Sequence, residues 1–228
     1  MAQILKEETS LSEAGGKRIL GGIGAIILGI LILYFTQQGL IGVGILIIGL
    51  IIVKQGSAFW KGSEGEDLVT GLLEHMPDNW YIINDMVVGS SQIDHIVVCP
   101  KGVYTIETKN YRGTIYGNAN DQYWMQVFPN GSEYDFYNPV KQGNKHSLEL
   151  SKYLEENNLK SWVNTVVVFP GDEVTLKVYS PKTKVLYLKE LAAYFMEQRD
   201  TLDQKFCDDV VECIQKLVPK EESVSQNN

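Results

Sequence analysis

Ile93-Asp94-His95-Ile96-Val97-Val98 and, after a four-residue connection, Val103-Tyr104-Thr105-Ile106-Glu107-Thr108-Lys109 read as two neighbouring strands. Both runs are apolar and rich in β-branched residues, as the core of a sheet requires. Both also carry ionisable groups. An unpaired buried carboxylate costs several kcal/mol, so such groups come paired or bound to a cation. Glu107 and Lys109 are two residues apart, so on a strand they share a face.

The connection Cys99-Pro100-Lys101-Gly102 sets which residues oppose each other. If Pro100-Lys101 is a two-residue turn, Cys99 faces Gly102 and Asp94 faces Glu107, with Cβ atoms about 4.5–5.5 Å apart. If Gly102 instead forms a bulge, the register slips by one and Asp94 faces Thr108. In the first case two carboxylates and a lysine gather on one face, a set suited to a divalent cation. Mg²⁺ takes oxygen ligands and keeps several waters, and Asp94, Glu107 and the carbonyl of Thr108 are the candidate donors. Lys109 is then placed to orient or deprotonate a water, or to neutralise charge growing on a phosphate.

Working outward toward the N-terminus, residues 19–35 and 39–53 are two uncharged apolar runs separated by Thr36-Gln37-Gln38. At about 1.5 Å per residue each makes a helix roughly 23–26 Å long, slightly short of a ~30 Å hydrocarbon core that flanking residues can complete. Gly21, Ala25 and Gly29 form a small-residue stripe, and Gly42 and Gly49 share a face, so the two helices are expected to pack closely. Lys17 and Arg18 precede the first run, and Lys54 and Lys61 follow the second, while the connection is uncharged. The positive-inside rule puts both termini in the cytoplasm of a multi-pass cell-membrane protein. The expected organisation is a cytoplasmic segment at 1–18, a two-helix transmembrane hairpin at 19–53, a linker at 54–61, a folded domain at 62–218 and a disordered tail at 219–228.

Within the domain, Ser63 and Glu66 have the spacing of a capping box opening a helix to about Met76. Strands are expected at 80–88, at the two central runs, at 114–116, 123–128, 165–169 and 185–188. Asn138-Pro139 opens a helix to about Glu156, and two further helices cover about 188–198 and 202–217. This order predicts a mixed α/β sheet flanked by helices. The 228 residues carry a net charge of -8. Residues 1–61 hold more basic than acidic side chains, so the remainder is more acidic than the whole. Such a surface disfavours tight non-specific binding to a phosphate backbone. Cys99, Cys207 and Cys213 have no metal-ligand spacing and read as reduced thiols.

Several motifs then fall in a fixed order: Gly62-x-x-Gly65-Glu66, Gln92-Ile93-Asp94-His95-Ile96-Val97-Val98, Gly102 through Lys109 followed by Asn110-Tyr111-x-Gly113, Trp124-x-Gln126, and Asn138-Pro139-x-x-Gln142. Over about 62–154 the chain resembles the nuclease-related domain family, which looks like a branch of the PD-(D/E)xK nuclease superfamily. The resemblance implies a restriction-endonuclease-like fold and hydrolysis of nucleic acid, DNA foremost, with Mg²⁺ or Mn²⁺. Asp94, Glu107 and Lys109 match the superfamily triad, and Glu66 matches the carboxylate of its first helix. Ile93 stands where the superfamily's name has proline. The rival reading is a non-catalytic nucleic-acid-binding or membrane scaffold module that keeps the fold.

Other residues have blander readings. Glu66 can serve simply as a helix cap, and His95, pointing away from Asp94, as a structural histidine. Gln126 can complete a strand. Gln142 can reach the site or hydrogen-bond a loop. Tyr111, Tyr116, Tyr123, Trp124, Phe136 and Tyr137 can stack on bases but are expected mostly in the core. His146 is expected to be a solvated helix residue.

Overall fold

The two-residue turn at Pro100-Lys101 forms, and the sheet is built about it. The computed structural model describes residues 1–6, 11–35 and 39–217. In chain order the elements are β1 (Gln3–Lys6), α1 (Leu11–Phe35), α2 (Gly39–Leu73), β2 (Tyr81–Val88), β3 (Ser91–Cys99), β4 (Gly102–Thr108), β5 (Gly113–Asn118) and β6 (Tyr123–Val127). They continue with β7 (Glu133–Tyr137), α3 (Pro139–Glu156), β8 (Val163–Phe169), β9 (Val174–Tyr179), β10 (Lys184–Tyr187), α4 (Leu188–Glu197) and α5 (Gln204–Gln215). Two compact units divide the chain: Met1–Glu7 with Val69–Asn228, and Glu8–Leu68.

The larger unit is a mixed α/β fold with two sheets flanked by helices. One sheet has the strand order β1-β2-β3-β4-β8-β10, the other β7-β6-β5-β9. In the first, β2, β3 and β4 are antiparallel neighbours, whereas β4 with β8, β8 with β10 and β1 with β2 run parallel. β4 is buried along its whole length. A strand covered on both faces needs a near-continuous apolar sequence, which is why its charged residues stand out.

Side chains alternate between two core layers. Ile83, Ile96, Val98 and Val103 pack against Leu150 and Leu154 of α3 and Val210 and Ile214 of α5. Ile82, Val97, Ile106, Val166 and Val168 pack on the opposite face against Val69 and Leu73 at the end of α2 and Leu191 and Phe195 of α4. The start of α3 is fixed locally: the Asn138 side chain accepts from the Val140 and Lys141 N–H groups, and Pro139 occupies the first turn, where its missing N–H costs nothing. A third core, around Trp124, Phe136 and Phe169, joins the second sheet to β8.

The smaller unit is a helical hairpin. Both α1 and α2 are long and apolar enough, by length and composition, to cross a membrane. Their seam runs through glycine. A Cβ on Gly22 would lie 2.9 Å from the Gly49 carbonyl oxygen, and one on Gly29 would lie 2.9 Å from that of Gly42. The expected stripe is thus corrected: Gly29, Gly42 and Gly49 line the contact, but Gly22 does so in place of Gly21, whose Cβ would meet nothing within 4 Å.

Other expectations change as well. The linker at 54–61 and the helix start at Ser63 do not occur, because α2 runs unbroken from Gly39 to Leu73. Each interior glycine costs a helix only about 1 kcal/mol, too little to break one propagated from both sides. β1 and β9 were not anticipated; β9 is half exposed and alternates around Lys177. The Thr36-Gln37-Gln38 connection and the tail at 219–228 lie outside the described residues.

Candidate active site

Hydrogen-bonded register places the acidic residues. β3 and β4 pair Cys99 with Gly102 and continue to His95 with Ile106. The paired rungs end there; Asp94 and Glu107 are the next residue on each strand, in the turn-based register, and lie close enough for each charge to act on the other. Asp94 Oδ2 accepts the Thr108 N–H at 2.8 Å. Gly102, with φ 138°, adopts a conformation open to glycine and closes the turn without a bulge.

Glu107 is 1% exposed and sits between two partners. Its Oε1 accepts from Lys109 Nζ at 2.5 Å. Its Oε2 lies 3.3 Å from His146 Nδ1 on α3. That contact lacks hydrogen-bond geometry, so among the described residues Oε2 is a buried acceptor without a hydrogen-bond donor. His146 is buried rather than solvated, which corrects the sequence reading. Its position follows from the face of α3 that carries Gly143, Ser147, Leu150 and Leu154 inward. Gly143 allows the approach, since a Cβ there would lie 2.5 Å from Thr165 Cγ2 and 3.5 Å from Glu107 Cβ. Ser147, one turn on, bridges Thr105 and Thr165 through two 2.6 Å hydroxyl hydrogen bonds and ties α3 to β4 and β8.

Two carboxylates this close perturb each other. Burial, and then the Glu107 charge, push the Asp94 carboxyl up to about 7, against the pull of the Thr108 N–H, Lys109 and His146. For Lys109, burial acts to lower the pKa, but the Glu107 charge and hydrogen bond, with Asp94 beyond, outweigh it and the net shift is upward. Lys109 is therefore held as an ammonium. That favours charge neutralisation over proton abstraction among the roles open to it.

Because the folded-state pKa of Asp94 lies above the unfolded value, the folded form holds this proton more tightly. Its contribution to stability therefore falls as pH climbs from near 3.8 to about 7. Asp94→Asn is expected to remove that component, so that in EDTA the variant gains on the wild type as pH rises through this window. Melting temperatures measured across pH test it, and parallel curves for the two proteins would refute the assignment.

Glu66 lies on α2 in the smaller unit and is half-buried. Thr108 contributes its N–H to Asp94. His95 is buried on the opposite face, with Nε2 3.1 Å from Thr70 Oγ1. Gln126 donates to the Arg112 carbonyl at 2.7 Å and so secures the start of β5. Gln142 is half-buried one turn before His146. Tyr111 packs edge-on against Phe136, and Trp124 and Phe136 are core, whereas Tyr116, Tyr123 and Tyr137 are exposed. Asp85 was not anticipated. It occupies the rung opposite Asp94, between the Asn84–His95 and Met86–Ile93 pairs, with a left-handed φ of 48°. Its carboxylate accepts from Gln92.

Among the described residues no group of three or more His, Cys, Asp or Glu side chains is placed to hold a metal ion. Two carboxylates, one with an unsatisfied buried oxygen, still fit Mg²⁺ or Mn²⁺, because Mg²⁺ is commonly held by one or two carboxylates and water.

Two helix-flanked sheets with a buried acidic pair and a lysine where adjacent strands end define a mixed α/β protein with an acidic centre. The nuclease-related domain model matches residues 61–170. An uncharacterized protein of Bacillus anthracis is 34% identical over 148 residues, covering 61% of this chain and 68% of that protein. The chain belongs to the nuclease-related domain family. It is also similar to the structure of Pyrococcus furiosus SfsA in complex with Ca²⁺, at 18% identity and a TM-score of 0.24, over 68% of this chain and 53% of that one. The chain thus spans about half the length of SfsA.

Proposed function

We propose that the chain is a membrane-anchored nuclease whose folded domain faces the cytoplasm and hydrolyses phosphodiester bonds of nucleic acid, DNA foremost. The proposed fold is restriction-endonuclease-like. The observation that carries the reading is the Asp94–Glu107 pair, in which burial, and then the Glu107 charge, hold Asp94 near pKa 7; a divalent cation relieves that repulsion. Asp94, Glu107 and the carbonyl of Thr108 would hold Mg²⁺ or Mn²⁺. When bound, the cation supplies Lewis-acid neutralisation of a phosphate. Lys109, already protonated, neutralises charge building on the phosphate oxygens. His146 restrains Glu107 from the α3 side.

The full chain incubated with labelled DNA and RNA, in Mg²⁺, Mn²⁺ or EDTA, tests the activity. Cation-dependent cleavage of DNA that is lost in EDTA and in Glu107→Gln is expected. For the cation itself, Asp94→Asn is expected to weaken Mn²⁺ binding in calorimetry, and equal affinities would place the site elsewhere. The second reading, a binding or scaffold module, is favoured by one observation: Glu107 is already compensated by Lys109 at 2.5 Å in an acidic chain. Failure of the folded chain to cut any DNA or RNA in Mg²⁺ or Mn²⁺, with neither cation bound, would favour it.

The anchor is proposed to be the α1–α2 hairpin, with both termini cytoplasmic, from the basic residues flanking it. Cysteines introduced in the folded domain should resist a membrane-impermeant reagent in intact cells. Labelling of that domain from outside would overturn the topology.

A further inference from the structure

The acidic centre occupies the end of β4, at Glu107. A separate cleft of about 710 Å³ lies at the start of the same strand, lined by Lys101 and Gly102. Five residues separate Gly102 from Glu107, roughly 16 Å of extended chain. Lys160, Trp162 and Asn164, leading into and along β8, form a second wall. The end of α4 and the segment through Arg199 form the third. This last wall is pinned, because the N–H groups of Thr201 and Leu202 both donate to the Pro100 carbonyl, at 2.7 and 2.9 Å. The cleft is thus preformed, and its volume is that of a small-molecule site.

Two features of its lining stand out. Trp162 is 81% exposed, in a domain that buries Trp80 to 2% and Trp124 to 1%. An indole left in water beside a cleft is a stacking platform without a partner. The second feature is charge. Lys101, Lys160 and Arg199 line the cleft against the single acid Glu197, a local positive excess in a chain of net charge -8. Lys101 is committed to the Gln198 carbonyl at 2.6 Å and to Asp200 at 3.4 Å. Lys160 pairs only with exposed Glu155 at 3.3 Å, and Arg199 has no ion pair among the described residues. Asn164 and Ser161 add hydrogen-bonding groups.

We propose that this cleft binds a nucleotide: the base stacks on Trp162, and Arg199 and Lys160 take its phosphate. A planar π face and a phosphate on one ligand match an exposed indole and a fork-shaped cation that line one cleft. The ligand is either a free nucleotide or the phosphorylated end of a strand. The site does not depend on cleavage by the acidic centre.

Isothermal titration of the full chain in detergent with AMP, adenosine and a 5′-phosphorylated oligonucleotide, all in EDTA, tests the proposal. The wild type should bind AMP saturably. Trp162→Ala should weaken AMP and adenosine alike, by about tenfold or more, and an unchanged melting temperature is expected for so exposed a position. Arg199→Gln should weaken AMP by a similar factor and leave adenosine unaffected. Glu107→Gln should bind AMP as the wild type does. Displacement of AMP by the oligonucleotide identifies a strand end as the ligand; binding of AMP with no effect of the oligonucleotide identifies the free nucleotide. The proposal is overturned by the absence of saturable AMP binding at millimolar concentration. It is equally overturned by affinities unchanged in both cleft variants, or by loss of AMP binding in Glu107→Gln alone.

Discussion

Lys109→Ala is expected to lower cation-dependent cleavage by about 10²–10³-fold, the usual loss when one preorganised electrostatic group is removed from a transition state. The substitution takes away the ammonium that Glu107 holds at 2.5 Å and that the surrounding carboxylates keep protonated. Nucleic-acid affinity should change far less, since one phosphate contact is a small part of an interface. A scaffold predicts the opposite division. There the lysine only compensates Glu107, and its removal leaves a buried carboxylate partly uncompensated, so that the main effect is a lower melting temperature. Single-turnover cleavage beside thermal unfolding separates the two. Undiminished cleavage in the variant would remove Lys109 from the chemistry.

Gly143→Ala should produce the largest change in stability for the smallest change in volume. Its Cβ would stand 2.5 Å from Thr165 Cγ2, where α3 crosses β4 and β8. Overpacking of this kind costs about 1–3 kcal/mol. The retreat of α3 would also carry His146 away from Glu107 and strain the Thr105–Ser147–Thr165 hydroxyl chain. Thr165→Ser deletes the obstructing methyl and keeps the hydroxyl, so the double variant should recover most of the loss. Calorimetric melting of the two single variants and the double tests this. A Gly143→Ala protein that melts with the wild type would mean the helix sits farther from the sheet than described.

The centre of the fold was legible because local rules agree there. A two-residue turn, an alternating pattern and a glycine at φ 138° fix one register, and that register decides that Asp94 meets Glu107. Lys109 follows from strand periodicity alone. His146 was missed although a signal existed. It shares its helical stripe with Gly143, Leu150 and Leu154, and a polar residue on such a stripe is buried by its neighbours. The Ser63–Glu66 spacing reads as a capping box and so as a helix start, whereas α2 runs through it from Gly39 to Leu73. Asp85 was not legible, because its left-handed conformation comes from the tertiary ladder.

β1 has a consequence for how the chain is threaded. Gln3 N–H donates to the Trp80 carbonyl at 2.8 Å, and Gln3 and Ile4 lie alongside Tyr81 and Ile82. The residues before α1 and those after α2 are thus neighbours in one sheet, and a single sheet cannot be shared between two aqueous compartments. Whatever the intervening helices traverse, they must traverse an even number of times. Residues 3–6 pair with partners about eighty positions downstream, and removing them would bare the edge of β2 as a template for pairing with another chain.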